Sequence, residues 1–156
     1  MTAGGSSLPE VQALLRVLAG GRRRAAEIGT AFGEGAAAIA AGLAQGGTLV
    51  TVELDRERAE AARAALTGVT LLEGDWRDAL PPHAPFDFLF VDVHAAKTDP
   101  FVLELLAPGA LVVIDDLTPD RPGPDPVRDF WLRSDAIRAV EILTTPSTAA
   151  IVASVV

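Results

Sequence analysis

Apolar positions along this chain switch repeatedly between helical and strand-like spacing. Val11, Leu14, Leu15 and Leu18 recur on one helical face, and Gly20-Gly21 stops that run. Ser7-Leu-Pro-Glu10 ahead of it reads as a capping box with proline in the first turn. Short apolar runs then predict strands over 24–28, 48–53, 69–73, 86–92 and 109–114, with helices between them over 34–44, 56–66 and 98–106. Phe86–Val91 and Ala110–Ile114 are almost continuously apolar, as strands covered on both faces are. This β–α alternation predicts an open parallel sheet. The end of the chain breaks the rhythm. Runs 137–143 and 149–155 are separated by Thr-Thr-Pro-Ser-Thr, too short for a helical crossover, and predict an antiparallel hairpin. Thr118–Pro126 carries four prolines and reads as a loop.

Composition narrows the possible partners. The 156 residues suffice for one domain, 1–156, with its own core. There is no cysteine, which removes disulfides and thiolate metal sites and suits a cytoplasmic setting. A net charge of −8 argues against nucleic acid, and Arg22-Arg23-Arg24 reads as a solvated turn. No apolar run is long enough to suggest a membrane role. Lys97 is the sole lysine.

Residues 24–41 carry the strongest chemical signal. Glu27-Ile28 closes a strand, glycines follow at 29, 33 and 35, and an alanine-rich helix opens near Glu34. Glycines let a backbone approach a ligand closely, and a helix N-terminus offers free N–H groups to an anion. Glu53 ends the next strand, where an acid can accept hydrogen bonds from ribose hydroxyls. Gly33-Glu-Gly-Ala-Ala-Ala38 matches a loose dinucleotide pattern, but the strand ends earlier, at Gly29. Glu27 at the strand terminus would repel a pyrophosphate, whereas it can receive an amino-acid ammonium. That favours S-adenosylmethionine over a dinucleotide.

Glu-Ile-Gly-Thr-x-x-Gly at 27–33, Thr-Val-Glu-Leu-Asp at 51–55 and Glu-Gly-Asp-Trp at 73–76 resemble the cofactor motifs of class I S-adenosylmethionine-dependent methyltransferases. The likeness is greatest to the catechol and caffeoyl-CoA type O-methyltransferases. The resemblance implies a Rossmann-like, doubly wound α/β sheet of seven strands, mostly parallel, ending in an antiparallel hairpin. It also implies that Glu27 and the loop Gly29, Thr30, Ala31, Phe32, Gly33 line the methionine end of the cofactor. Glu53 and Leu54 would meet the ribose, and Gly74, Asp75 and Trp76 the adenine. Many relatives carry serine where this chain has Gly35, so backbone N–H groups would serve the cofactor carboxylate there. Relatives also bring extra N-terminal helices that cover the acceptor and support a dimer. Here one helix precedes the first strand, so the acceptor side is expected to be open or completed by loops or a second subunit.

Asp92 closes one predicted strand and Asp115-Asp116 the next. Neighbouring strand tips lie roughly 5 Å apart, and clustered carboxylates raise one another's pKa unless a cation joins them. Three oxygen donors suit Mg²⁺ or a similar divalent ion, and the corresponding positions of the resembled family bind one. Both Asp115 and Asp116 can reach one ion only if the chain turns there. Otherwise Asp92 meets the cofactor and Asp115-Asp116 begin a loop. The lysine that relatives place three residues after the first aspartate is Ala95 here, leaving Lys97 and His94 as candidate bases. Phe130-Trp131 are candidates for an aromatic wall or for plain packing, and His83 reads as a loop residue. These features predict methyl transfer from S-adenosylmethionine to a small hydroxylated acceptor, with a divalent ion. The alternatives are a metal-free methyltransferase, a cofactor-binding module without turnover, and a nicotinamide dehydrogenase.

Overall fold

The computed structural model describes residues 7–156. The chain runs α1 (Pro9–Leu18), β1 (Arg24–Ile28), α2 (Glu34–Gly42), β2 (Thr48–Glu53), α3 (Arg56–Ala65), β3 (Thr70–Glu73) and a single turn, α4 (Trp76–Ala79). It continues with β4 (Phe86–Val91), a second single turn, α5 (Phe101–Glu104), then β5 (Leu106–Leu117), α6 (Pro126–Leu132), β6 (Ile137–Thr145) and β7 (Thr148–Val155). The seven strands form one sheet in the order β3-β2-β1-β4-β5-β7-β6. The pairs β1–β2, β1–β4, β2–β3 and β4–β5 are parallel, and β7 lies antiparallel to both β5 and β6. The expected Rossmann-like sheet and C-terminal hairpin are therefore present.

The alternation of strand residues sorts the core into two layers. Ala25, Phe88, Phe90 and Val113 pack on one face with Val11 and Leu15 of α1 and Ile39 of α2. Ala26, Leu89, Val91, Val112 and Ile114 pack on the other with Trp76, Leu80 and Trp131. The small residues of α2 let it lie close to α1. A Cβ on Gly42 would stand 2.1 Å from the Arg16 carbonyl oxygen.

Three local expectations need correction. The N-cap of α1 is Leu8 rather than Ser7, with no side-chain cap: Pro9 takes the first helical position, which leaves at the cap a leucine side chain with no acceptor atom. The predicted helix over 98–106 is instead a 3₁₀ turn, His94–Thr98, followed by the four residues of α5. Pro100 forces Asp99 to extended angles (φ −89°, ψ 115°), which divides the stretch. Strand β5 also runs past the predicted 109–114, from Leu106 through Leu117. Its pairing with β7 shifts register between Ile114 and Leu117, and Asp116 there takes a left-handed φ of 58°. The two adjacent aspartates thus form an irregular step inside a strand instead of starting a loop.

The candidate functional site

Chain order reverses between β1 and β4, the central neighbours of the sheet, and the crevice beyond their C-terminal ends is where such folds bind ligands. A cavity of about 560 Å³ opens there. Gly29 from the end of β1, Glu53 and Leu54 from the end of β2, and Gly74, Asp75 and Trp76 after β3 all line it. A Cβ on Gly29, whose φ is +95°, would meet Val93 Cγ2 at 2.9 Å, so only glycine lets the loop pass the end of β4.

The loop is wired through two acids. Glu53 is buried and holds both sides of the crevice: Oε2 accepts the Ala31 N–H at 2.8 Å and Oε1 the Asp55 N–H at 2.9 Å. Each oxygen retains a lone pair for a ligand. Glu27 lies buried behind the loop, where Thr51 donates its hydroxyl to Oε2 at 2.5 Å, and Thr30 in turn shares a 2.6 Å hydroxyl contact with Thr51. Burial, reinforced by the charges of Asp92 and Asp115, holds the Glu27 carboxyl well above the usual carboxylate range, against the Thr51 bond. A Cβ on Gly35 would stand 2.4 Å from Glu27 Oε1 and 3.3 Å from Ser7 Oγ. A side chain at 35 would therefore have to displace the end of the buried Glu27 carboxyl, and the Ser7 hydroxyl already stands beside that space.

Beyond β3, Asp75 caps α4 by accepting the Arg77 N–H at 2.8 Å and still lines the cavity. Trp76 is buried, its ring 5.9 Å from that of Phe101, with the Arg77 guanidinium over both rings. Ala31 adopts a left-handed φ of 47°, and Phe32 is exposed on the loop. Asp55, the last residue of the 51–55 motif, and Ala95 also line the cavity, as do Arg58 and Val93, which no motif singled out.

A second cavity of about 210 Å³ adjoins the end of β4 and is lined by Asp92, His94, Lys97, Asp116, Arg121 and Arg128, among others. Successive residues alternate between the two hollows: Val93 and Ala95 face the first, Asp92 and His94 the second. His94 is exposed, whereas Lys97 is buried at 5 % exposure. Lys97 Nζ donates to the Asp115 carbonyl oxygen at 2.8 Å and lies 3.9 Å from Asp115 Oδ1. Burial and the neighbouring Asp92 push the Asp115 carboxyl up to about 8, and its Oδ1 has no hydrogen-bond partner.

The expected triple-aspartate metal centre does not assemble. No group of three or more histidine, aspartate or glutamate side chains among the described residues is arranged to hold a metal ion. Asp115 is buried, whereas Asp116, turned at its left-handed φ, is exposed on the wall of the second cavity, and the nearest cation to Asp115 is the Lys97 ammonium. The donor set does not fit a divalent ion.

Trp131 is fully buried and donates its indole N–H to the Lys97 carbonyl oxygen at 2.7 Å, with Phe130 edge-on at 5.0 Å. Neither ring lines either cavity, so packing and anchoring is what they do. His83 ends a 3₁₀ turn, Pro81–His83, and its carbonyl accepts from Arg24 at 2.6 Å. No helix among the described residues is long and apolar enough to cross a membrane.

A seven-stranded, mostly parallel sheet with an inserted antiparallel β7 and a ligand crevice at the β1–β4 switch defines the class I, Rossmann-like methyltransferase fold. Residues 26–117 match the family described as "Methyltransferase domain", and the chain belongs to it. It is similar to the protein-L-isoaspartate O-methyltransferase of Ignicoccus hospitalis, 36% identical over 93 residues covering 56% of this chain and 44% of that protein. A putative O-methyltransferase of Mycobacterium ulcerans is 31% identical over 140 residues, covering 80% of this chain and 62% of its own. The chain thus spans about half the length of the curated relatives it matches. Among solved structures, the O-methyltransferase TomG of Streptomyces achromogenes, involved in tomaymycin synthesis and solved with SAM, is 28% identical. It aligns with a TM-score of 0.78 over 99% of this chain and 83% of TomG.

Proposed function

We propose that the protein transfers a methyl group from S-adenosylmethionine to a small hydroxylated acceptor. The observation that carries this reading is Glu53, buried at the crevice with both oxygens fixed by backbone N–H groups, opposite a glycine-floored loop. That arrangement suits a ribose diol. The acids on the crevice wall, Glu53, Asp55 and Asp75, with Glu27 buried behind the loop, suit an amino-acid ammonium better than a pyrophosphate. Gly29, Thr30, Ala31, Phe32, Gly33 and Gly35 would surround the methionine portion, Leu54 the ribose, and Gly74, Asp75 and Trp76 the adenine. S-adenosylmethionine supplies an electrophilic sulfonium methyl.

The acceptor belongs in the second cavity, on the far side of the 92–95 segment, and that hollow admits only a small group. Exposed His94 on its wall takes the acceptor's hydroxyl proton as the general base. Lys97 is less suited to that task, since its ammonium is committed to Asp115. Asp92, at the switch point, orients the acceptor. Placement of the two reactants in adjoining hollows contributes through alignment.

The test is transfer of labelled methyl to catechol-type hydroxyls, with an isoaspartyl peptide as the contrast suggested by the Ignicoccus relative's name. The proposal predicts transfer to the hydroxylated acceptor. His94→Ala should lower turnover about 10²-fold and leave S-adenosylhomocysteine affinity unchanged. Transfer to the isoaspartyl peptide alone would refute the acceptor class.

A further inference from the structure

We propose that the Lys97 ammonium takes the place of a divalent ion at the tips of β4 and β5, so that the protein binds no metal there. A buried ammonium needs a specific partner, because desolvation penalises an isolated charge. Here the partner is built by the backbone. The register shift after Ile114 takes Asp115 out of the β5–β7 ladder, and Lys97 Nζ occupies its carbonyl at 2.8 Å. The same nitrogen lies 3.9 Å from Asp115 Oδ1, a buried oxygen with no hydrogen bond. The position is held from behind as well: buried Trp131 donates to the Lys97 carbonyl oxygen at 2.7 Å. Lys97 is thus fixed through both its main chain and its side chain.

This placement excludes an ion on chemical grounds. A hard divalent cation requires carboxylate oxygens at about 2.0–2.6 Å and takes several of them. An ion seated on Asp115 Oδ1 would stand against a fixed like charge, the Lys97 ammonium 3.9 Å away. Lys97 lines the second cavity beside Asp92, so a fixed, buried positive charge faces whatever oxygen is bound there, with Arg121 and Arg128 on the same wall. Such a charge stabilises a developing oxyanion without an ion having to bind first.

The test uses Mn²⁺ as probe on the full chain loaded with S-adenosylhomocysteine, reading free Mn²⁺ by electron paramagnetic resonance. Wild type should leave the signal undiminished up to millimolar Mn²⁺, apart from weak binding that Asp115→Asn does not change. Lys97→Ala removes the cation and should tighten Mn²⁺ binding roughly tenfold or more, and adding Asp115→Asn should abolish that gain. Wild-type Mn²⁺ binding that Asp115→Asn removes overturns the proposal, as does a folded Lys97→Ala protein with no gain. If Lys97→Ala does not fold, the comparison of wild type with Asp115→Asn decides alone. Retained S-adenosylhomocysteine binding in these variants separates failure of this inference from failure of the proposed cofactor site.

Discussion

Glu27 and Gly35 are coupled, and each explains the other. The carboxyl fills the space that a side chain at 35 would need, so Gly35→Ser should destabilise the fold by about 1–3 kcal/mol and weaken S-adenosylhomocysteine binding. Urea unfolding and calorimetry would show it; an unperturbed Gly35→Ser variant would mean that Glu27 lies elsewhere. Glu27 also sets a pH dependence. Because burial raises its folded pKa, the unfolded chain ionises first as pH rises. The stability that the protonated form contributes is complete below the ordinary carboxylate range and is lost as pH climbs through the raised folded value. Glu27→Gln should flatten that loss and be the more stable protein at pH 8, while binding the cofactor more weakly. Unfolding of both proteins at pH 5 and pH 8 checks the sign. The acids at 27 and 53 were legible in the sequence because each lies at the end of an apolar strand, Glu27 just ahead of Gly29. Their mutual wiring through Thr51 and the Ala31 N–H was not, since it depends on the β1–β2 register.

Among the elements, the strands were easier to read than the segments that finish the site. Continuous apolar runs announce β4 and the centre of β5, whereas the irregular step at Asp115-Asp116 depends on how β7 pairs, which no local pattern encodes. For the same reason three aspartates at strand ends suggested a metal, and the structure instead brings a lysine five residues beyond Asp92 into contact with Asp115. Helix α6 shows a further connection that the sequence hid. Arg128 joins Asp125 at its own N-cap to Glu141 of β6, with Nε–Oε2 at 2.9 Å, and also reaches the Thr118 carbonyl at 2.9 Å. The Arg128 bond holds the Glu141 carboxyl below its ordinary range. Arg128→Ala should cost about 1–3 kcal/mol near neutral pH, measured by urea unfolding. The Glu141 contribution is present above the ordinary carboxylate pKa and is lost as pH falls through the depressed value, so the penalty should shrink in acid. A penalty that grew in acid would contradict the assignment. Trp131→Phe removes the donor to the Lys97 carbonyl and should cost about 1 kcal/mol by the same measurement.

At the scale of the whole molecule, two hollows lie at the β1–β4 switch on either side of residues 92–95, and the proposed function gives the cofactor to one and the acceptor to the other. The larger faces the acids and glycines of the cofactor motifs, and the smaller faces Asp92, His94 and Lys97. The period of the apolar pattern made the sheet and hairpin readable, and the motifs placed half of the larger cavity. Asp92, His94, Lys97 and Asp116 of the smaller cavity stood out in the sequence, whereas Arg121 and Arg128 did not, because a loop and α6 bring them from positions far along the chain. The account depends most on the larger hollow being an S-adenosylmethionine site. Calorimetric titration of S-adenosylhomocysteine into wild type and Glu53→Gln, with NAD as control ligand, tests it directly. Wild type should bind with a dissociation constant of roughly micromolar order, about −8 kcal/mol, NAD should not bind, and Glu53→Gln should bind roughly tenfold more weakly. Binding of NAD in place of S-adenosylhomocysteine, or a Glu53→Gln variant with wild-type affinity, would contradict it.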